Sequence, residues 1–254
     1  MELESNVETK LRERMSKGPL LTLRLDLINK CNLQCVMCHY SDPKIALRPT
    51  RKISTAQFDK WFNGIGHHVR DIMLSCGDEP LMSPHFIDIL AKISDYGNSM
   101  DVGLCTNGML MNAKIRSAMI QYGLTYSIFS IDGATKATME RIRVKSSYDR
   151  VLGNIKALKK LKEDSQSIYP KFVMDFVMMR SNIHEAETFV DICKKLGAEL
   201  IDFRHVVPTS SWNDEDEKLE NFPEVYNFHR NRILDRARKQ QINVTLPSAF
   251  THAR

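Results

Sequence analysis

The amino-acid sequence predicts an α/β fold, a six-stranded (β/α)6 partial TIM barrel, from three observations. Helical patterns separate the predicted strands, as where Val151, Ile155 and Leu158 recur at spacings of four and three, and this alternation predicts parallel pairing through right-handed crossovers. Six such units are fewer than the eight that close a barrel, so the sheet should be open. The strands themselves are predicted from apolar or β-branched runs at 21–28, 71–76, 100–105, 124–131, 171–179 and 199–207.

A helix is predicted on each side of the barrel. Val7, Leu11 and Met15 recur at a spacing of four before the first strand, and a second helix with apolar residues at helical spacing lies between 222 and 237. The run INVTL (242–246) then predicts one more short strand. The chain either lacks a closing C-terminal domain that would begin after this strand or works without one. The predicted parts are a helical extension at 1–19, the barrel core at 20–207, and a linker, helix and strand at 208–254.

The composition is that of an ordinary globular protein, with 254 residues, 43% hydrophobic and 26% charged. The start MELESNVETK is acidic where a signal peptide is basic and then apolar, and no apolar run approaches the ~20 residues of a membrane helix. The excess of 36 Lys and Arg over 31 Asp and Glu is local, and no basic stripe is interleaved with aromatic residues. The sequence therefore predicts a cytoplasmic protein with neither a membrane nor a nucleic-acid partner.

Half of the six cysteines fall in one stretch, CNLQCVMC (31–38), directly after the first predicted strand. In a reducing compartment such a group is expected to bind metal or to act in catalysis. Cys31, Cys35 and Cys38 supply three thiolates, one fewer than structural zinc requires, and His39 is crowded against the last of them. Three thiolates suit a [4Fe-4S] cluster that keeps one iron free of protein ligands.

Two other functions are compatible with a cysteine group of this kind. One is an iron–sulfur electron-transfer protein, which would not explain the open coordination position or a barrel of this size. The other is a zinc-stabilised nucleic-acid-binding or scaffold protein, which would need a fourth ligand. Metal analysis distinguishes zinc from iron, and an assay for catalytic turnover distinguishes an enzyme from an electron-transfer protein.

Three further motifs accompany CxxxCxxC, and with them the sequence resembles the radical S-adenosylmethionine (radical SAM) enzymes. CGDEP (76–80) follows the second strand where that family has GGEP, CTNG (105–108) follows the third, and SIDGATKATMERIR (130–143) follows the fourth. The resemblance runs from about residue 20 to about residue 207. It is closest to the branch that often carries SPASM or twitch extensions, which includes peptide-maturing enzymes.

The resemblance implies two cofactors, a [4Fe-4S] cluster on the three cysteines and S-adenosylmethionine on its open iron. One electron from a reductant such as ferredoxin or flavodoxin would cleave S-adenosylmethionine, and the 5'-deoxyadenosyl radical would take a hydrogen atom from a substrate. The substrate could be a peptide, a sugar or another metabolite. The sequence assigns no catalytic acid, base or hydrogen donor.

The resemblance also implies which residues bind S-adenosylmethionine. The methionyl ammonium would be held by the turn Gly77, Asp78, Glu79 and Pro80. The ribose hydroxyls or the methionyl carboxylate would be held by Ser130 and Asp132, and a carboxylate by Arg143. The nucleoside would lie beside Asn107, and adenine beside backbone groups near Met178.

The sequence departs from the family pattern at several positions. Met37 stands where an aromatic residue usually precedes the third cysteine, and Asp78 replaces the second glycine of GGEP. No cysteine follows Cys193, although relatives with SPASM or twitch extensions carry further cysteines for auxiliary clusters. Cys76 and Cys105, at strand ends, are expected to pack in the core. His205, which closes the sixth strand, is expected to be structural.

Overall fold

The computed structural model describes residues 21–97, 100–209 and 211–251. Within these ranges one sheet contains seven strands, all paired in parallel with their sequence neighbours. The predicted N-terminal helix lies outside the described residues. The strands are β1 Leu21–Arg24, β2 Val69–Met73, β3 Asp101–Thr106, β4 Tyr126–Ser130, β5 Lys171–Met178, β6 Leu200–His205 and β7 Asn243–Thr245.

The strand order follows the chain from β1 to β7, as expected for repeated right-handed β-α-β units. The predicted α/β partial barrel is confirmed, with one difference in the number of strands. The short strand predicted in the C-terminal extension pairs with β6, from Leu200 opposite Asn243 to Asp202 opposite Thr245, and so lengthens the barrel sheet to seven strands.

Helices cover the outer side of the sheet, and local sequence sets several of their ends. They are α1 Pro43–Ala46, α2 Thr55–Phe62, α3 Phe86–Ser94, α4 Ala113–Gln121, α5 Lys136–Ile142, α6 Tyr148–Asp164, α7 Ala186–Leu196 and α8 Pro223–Gln240. A capping box between Ser54 and Gln57 starts α2. Gly197, at φ 82°, ends α7 in the left-handed conformation that glycine adopts most easily. None of the described helices is long and apolar enough to cross a membrane.

Alternation along β5 separates the core from the interior of the barrel. Phe172, Met174 and Phe176 are buried, and Phe176 packs on Phe189 of α7 with ring centroids 4.9 Å apart. Asp175, between them, instead lines the interior cavity. Because successive side chains of a strand point to opposite faces, this pattern puts apolar residues under the helices and leaves polar ones for the lumen.

A tyrosine crosses the lumen near the amino-terminal end of the strands. The Tyr126 hydroxyl donates to Asp71 Oδ2 at 3.0 Å, so the ring spans from β4 towards β2. Gly103 on β3 makes room for it, because a Cβ at that position would overlap the tyrosine ring. Tyr126 therefore links β4 to β2 across this part of the lumen.

The C-terminal extension packs against the barrel edge. The Tyr226 hydroxyl of α8 donates to the Pro247 carbonyl at 2.6 Å, and the Asn227 side chain pairs with the backbone of Phe250 at 2.9 Å in both directions. The Phe250 ring stacks on His205 with centroids 5.2 Å apart. These contacts place residues 247–250 beside the carboxyl end of β6.

Candidate active site

The carboxyl ends of the strands open into a cavity of about 460 Å³. Its wall comes from the segments after β1 to β4 and from the last residues of β5 and β6. Ligands of parallel barrels bind at this end of the strands. The four sequence motifs therefore meet around one space, as their positions after successive strands predict.

The cysteine loop, residues 31–42, brings Cys31, Cys35 and Cys38 to the wall of this cavity. Two backbone hydrogen bonds fix the loop to the segment that ends α5. The Val36 N–H donates to the Ile142 carbonyl at 2.9 Å, and the Gln34 N–H donates to the Val144 carbonyl at 3.1 Å. The loop is thereby held beside Arg143, which lies between these two acceptors in the chain.

Side-chain nitrogen atoms approach all three sulfur atoms, and the one at Cys38 Sγ is His39 Nδ1, at 3.8 Å. Arg143 Nη1 lies 3.9 Å from Cys35 Sγ, and Asn107 Nδ2 lies 3.8 Å from Cys31 Sγ. Burial raises the pKa of Cys31 to about 12 and that of Cys35 to about 11. Both thiols are therefore protonated at neutral pH, and binding of a metal as thiolates must release their protons.

The donor set fits a sulfur-ligated iron cluster. Three cysteines face one cavity, and N–H donors directed at thiolates are among the features that tune such clusters. Among the described residues, no three Cys, His, Asp or Glu side chains are placed to hold a single metal ion. A four-iron cluster does not need that arrangement, because its cysteine ligands bind different irons.

The GDEP turn, residues 77–80, presents a buried carboxylate. Glu79 Oε1 accepts from Thr106 Oγ1 at 2.7 Å, and Oε2 accepts from the Asn107 N–H at 2.8 Å. Burial raises the pKa of Glu79 to about 6, and these hydrogen bonds oppose that rise. The carboxylate is thus tied to the CTNG segment and is still ionised at neutral pH.

Asp78, which departs from the family glycine, joins the GDEP turn to the cysteine loop. Its Oδ1 accepts a hydrogen bond from the Tyr40 hydroxyl. The same oxygen lies 3.0 Å from Arg48 Nη2, with which it forms an ion pair. Arg48 Nη2 also donates to the Tyr40 hydroxyl at 2.9 Å. Each of the three side chains thus contacts the other two, and we call them the Asp78 triad. Tyr40 is almost fully buried.

Asp26, which follows β1, also fixes the backbone of this turn. Asp26 Oδ1 accepts from the N–H groups of Cys76, Gly77 and Asp78 at 2.7, 3.1 and 3.3 Å. Three converging N–H groups make a favourable site for a carboxylate. The backbone of the turn is therefore held in one conformation before any ligand binds.

Asp132 lies beneath the cavity wall and pairs with Arg143. Its Oδ2 is 2.8 Å from Arg143 Nη2, and its Oδ1 accepts from the Val177 N–H at 2.8 Å. Asp132 is fully buried and does not line the cavity, whereas Arg143 does. In this structure Asp132 therefore contacts the arginine, and not the space in which the sequence placed a ribose or a methionyl carboxylate.

The remaining predicted residues divide into two groups. The cavity wall includes Gly77, Asp78, Glu79, Asn107, Ser130 and Arg143. Pro80 and Met178 are buried outside it. Pro80 starts the short 3-10 turn that follows Glu79, and the Met178 carbonyl accepts from the Val206 N–H at 3.2 Å.

Three charged residues that the sequence analysis did not select also line the cavity, namely Arg24 of β1, Asp175 and Arg204. Asp175 of β5 lies directly opposite Ser130 in the sheet register, and Arg204 of β6 places Nε 3.1 Å from Asp175 Oδ1. Burial raises the pKa of Asp175 to about 6. A single aspartate within the apolar run KFVMDFVMM was the available signal, because period-two alternation puts it on the inner face.

Three residues expected to be structural also reach the cavity. Cys76 is exposed there, and Cys105 places its Sγ 3.6 Å from Ser130 Oγ. Burial raises the pKa of Cys105 to about 11, so it is a protonated thiol at neutral pH. His205 lines the cavity as well, although its ring packs on Tyr226 and Phe250.

Comparison with known proteins agrees with this geometry. The model of the radical SAM superfamily matches residues 25–193, which is most of the barrel and all four motifs. The chain belongs to the radical SAM superfamily. The matched range includes the cysteine loop, the GDEP turn, the CTNG segment and the stretch from Ser130 to Arg143.

Curated relatives from this superfamily are enzymes by name. The AdoMet-dependent heme synthase of Methanosarcina barkeri is 26% identical over 204 residues, which cover 80% of this chain and 55% of that protein. A probable GTP 3',8-cyclase of Methanocaldococcus jannaschii is 28% identical over 188 residues, 72% of this chain and 58% of that protein. The chain thus spans a little over half the length of these relatives.

Solved structures share the fold at low sequence identity. SuiB of Streptococcus suis bound to S-adenosylmethionine matches 91% of this chain and 51% of that one, with a TM-score of 0.70 and 12% identity. The native anSMEcpe structure with bound AdoMet matches 89% and 64%, with a TM-score of 0.68 and 13% identity. This likeness confirms the radical SAM partial barrel.

Proposed function

We propose that this protein cleaves S-adenosylmethionine reductively and uses the resulting radical to take a hydrogen atom from a substrate. The observation that carries the proposal is the meeting of three cysteines, the Glu79 carboxylate and the Arg143 guanidinium around one cavity at the carboxyl ends of the strands. Each group comes from a different motif, and no single-motif match would bring them together.

Cys31, Cys35 and Cys38 would hold a [4Fe-4S] cluster, with Asn107 and Arg143 as donors to two of the sulfur atoms. The bound cluster supplies one electron and an open coordination position for S-adenosylmethionine. The protein contributes a fixed loop, because residues 34 and 36 are hydrogen-bonded to the end of α5. These hydrogen bonds hold the segment around Cys35 beside Arg143.

The GDEP turn would receive the methionyl ammonium group. Glu79 is ionised at neutral pH, and its hydrogen bonds to Thr106 and Asn107 fix its direction. A buried carboxylate that faces a cationic group gains a charge-assisted interaction. The Asp78 triad and Asp26 hold the turn, so this chain binds the ammonium with a preformed site.

Arg143 would hold the methionyl carboxylate, and Ser130 the ribose. Asp132 would act through Arg143 as a positioning residue, since its carboxylate pairs with the guanidinium and accepts from the Val177 N–H. Backbone groups near Met178 would still flank adenine, although the Met178 side chain faces the helices. Removing Asp132 would leave a buried arginine without its partner, which is costly.

The substrate would enter beside β5 and β6, where cavity residues belong to no cofactor motif. We propose a peptide or a small metabolite, since structural neighbours include SuiB bound to the precursor peptide SuiA, and curated relatives include enzymes named for GTP and heme chemistry. The electron would come from a ferredoxin or flavodoxin in the cytoplasm.

Anaerobic reconstitution tests the proposed function. Protein loaded with iron and sulfide should bind about four irons per chain, and with dithionite it should slowly convert S-adenosylmethionine to 5'-deoxyadenosine and methionine without any substrate. Stoichiometric zinc would favour a zinc-stabilised protein instead. A reducible cluster that never yields 5'-deoxyadenosine would favour an electron-transfer protein.

A further inference from the structure

One part of the surface beside the cysteine loop carries charge of a single sign. Residues 43–58, PKIALRPTRKISTAQF, contain four basic residues and no acidic one. Lys44, Arg51 and Lys52 are exposed, whereas Arg48 is turned inward to the Asp78 triad. Within the part of the chain that the structure describes, none of the three exposed cations has an ion-pair partner.

An apolar side chain of this segment is also exposed. Leu47 is 81% exposed, the largest exposure among the large hydrophobic residues of the described chain. It directly follows α1, and Asp42, the nearest acid in the sequence, uses its side chain to cap that helix through the Lys44 N–H. Protein–protein interfaces combine apolar side chains with charged and polar ones, and this segment exposes both kinds.

The segment is fastened to the residues that lead into the cysteine loop. The Asn29 N–H donates to the Arg51 carbonyl at 3.0 Å, and Ile28 forms an isolated antiparallel bridge with Lys52. The Lys30 ammonium donates to the Ala46 carbonyl at 2.8 Å. Because Cys31 follows Lys30 and Cys38 precedes α1 by five residues, both ends of the cysteine group are close to this surface in the chain.

We propose that Leu47 with Lys44, Arg51 and Lys52, here called the basic patch, is the docking surface for an acidic one-electron carrier protein. The proposal rests on the proposed function, since it concerns delivery of the electron to the cluster. One electron leaves the reduced carrier and enters the cluster, and no bond forms or breaks in either protein. A weak, charge-steered encounter over a small area suits such a transfer.

Charge sign and position favour this partner over other occupants of a basic surface. A nucleic acid would need a longer basic track with aromatic residues for stacking, and the described part of 43–58 contains a single aromatic residue, Phe58, which is fully buried. The patch also adjoins the one loop that would hold the redox group. An electron carrier gains from that proximity, whereas a nucleic acid does not.

The test compares two reductants of the reconstituted holoprotein in anaerobic stopped-flow absorbance. Photoreduced flavodoxin is the protein probe and dithionite is the small-molecule probe. In Lys44→Glu/Lys52→Glu, the second-order rate constant with flavodoxin should fall about tenfold or more at low ionic strength, while the dithionite rate stays within about twofold. Added salt should slow the wild-type protein and narrow the difference.

A matched control carries the same charge change elsewhere. Arg238→Glu/Lys239→Glu alters two exposed cations at the end of α8, which packs on α7 and β7 at the opposite edge of the sheet. Its flavodoxin rate should stay within about twofold of wild type. Leu47→Ser should also slow reduction by flavodoxin and leave reduction by dithionite unchanged. If Lys44→Glu/Lys52→Glu fails to bind iron, Lys44→Gln/Lys52→Gln replaces it in the test.

The outcomes separate the two proposals. Equal slowing by the patch and control variants, or no slowing by the patch variants, would overturn the docking surface while leaving the proposed function standing. Failure of dithionite to reduce any wild-type cluster would overturn the proposed function, and the docking surface with it. Loss of iron from the Lys→Gln pair would show that these side chains are structural, which also overturns the proposal.

Discussion

The Asp78 triad predicts that Tyr40 controls binding of S-adenosylmethionine without holding either cofactor itself. Tyr40→Phe removes the hydroxyl that donates to Asp78 and accepts from Arg48 Nη2. The phenyl ring keeps the packing of a buried side chain. What changes is the link between the cysteine loop and the GDEP turn, which Asp78 otherwise provides.

The size of the effect follows from the hydrogen bond that is lost. A hydrogen bond to a charged group contributes about 1.5–3 kcal/mol, and the low end applies here because Arg48 still pairs with Asp78 at 3.0 Å. About 1.5 kcal/mol corresponds to roughly tenfold weaker binding if the turn must be reordered when the ligand binds. Iron content should not change, because the three cysteines are untouched.

The assay is anaerobic titration calorimetry of S-adenosylmethionine into the reconstituted protein. Electron paramagnetic resonance of the reduced cluster, with and without S-adenosylmethionine, supplies a readout that a general loss of stability would not move. Tyr122→Phe is the matched control, because Tyr122 is half-buried and packs against the core away from the cavity. Asp78→Asn should weaken binding similarly, and the double variant should lose less than the sum.

Three results would refute this role for the triad. One is an affinity within about twofold of wild type in both Tyr40→Phe and Asp78→Asn, with the usual spectral response to S-adenosylmethionine. Another is additive loss in the double variant, which would mean that the two side chains act independently. The third is a parallel fall in iron content and melting temperature, which would assign the triad to folding alone.

Three further expectations follow from the site. Replacing any one of the three predicted cluster cysteines by Ala should remove the iron measured after reconstitution, whereas Cys193→Ser should retain it, because that thiol is buried in the core. Glu79→Gln should weaken S-adenosylmethionine binding about ten- to a hundredfold in calorimetry while sparing the cluster, and unchanged affinity would place the ammonium elsewhere. Burial, together with the charges of Asp132 and Asp202, raises the pKa of Asp175 from 3.8 to about 6 against the opposing effect of the nearby arginines. The folded state therefore binds this proton more tightly and loses stability as the pH rises from about 3.8 through about 6. Urea unfolding of Asp175→Asn should therefore show a gain over wild type that grows from pH 4 to pH 7.5, by at most about 3 kcal/mol, and an equal difference at both pH values would contradict the burial argument.

Much of the fold was predictable because its signals are local. Runs of β-branched and apolar residues form strands, and the crossovers between them make parallel order the expected arrangement. The sequence predicted the short strand near the C-terminus, but not that it would pair with β6 and extend the sheet. The three residues from Asn243 to Thr245 form a strand because β6 offers an unpaired edge, and that edge exists only once the barrel has formed.

The site shows the same division between local and distant information. Motifs placed after successive strands must meet at one end of a parallel sheet, and so the positions of Glu79 and Asn107 followed from the sequence. The pairing of Asp132 with Arg143 did not follow from the sequence. It depends on how the segment between the two residues folds, which brings its two ends together. The partners of Asp78 lie 30 and 38 residues away, in a loop whose path only the structure gives.

Different parts of the cavity wall are expected to contact the cofactors and the substrate. Segments after β1 to β4 carry the motifs that the superfamily shares, and these would bind a cluster and a ligand common to all its members. Asp175 and Arg204, on β5 and β6, complete the same wall and belong to none of those motifs. Relatives that match this chain are named for heme synthesis and for GTP cyclisation, and so by name they differ in substrate. Side chains that discriminate between substrates should therefore come from the β5 and β6 side, and Asp175 and Arg204 are the charged groups placed to do so.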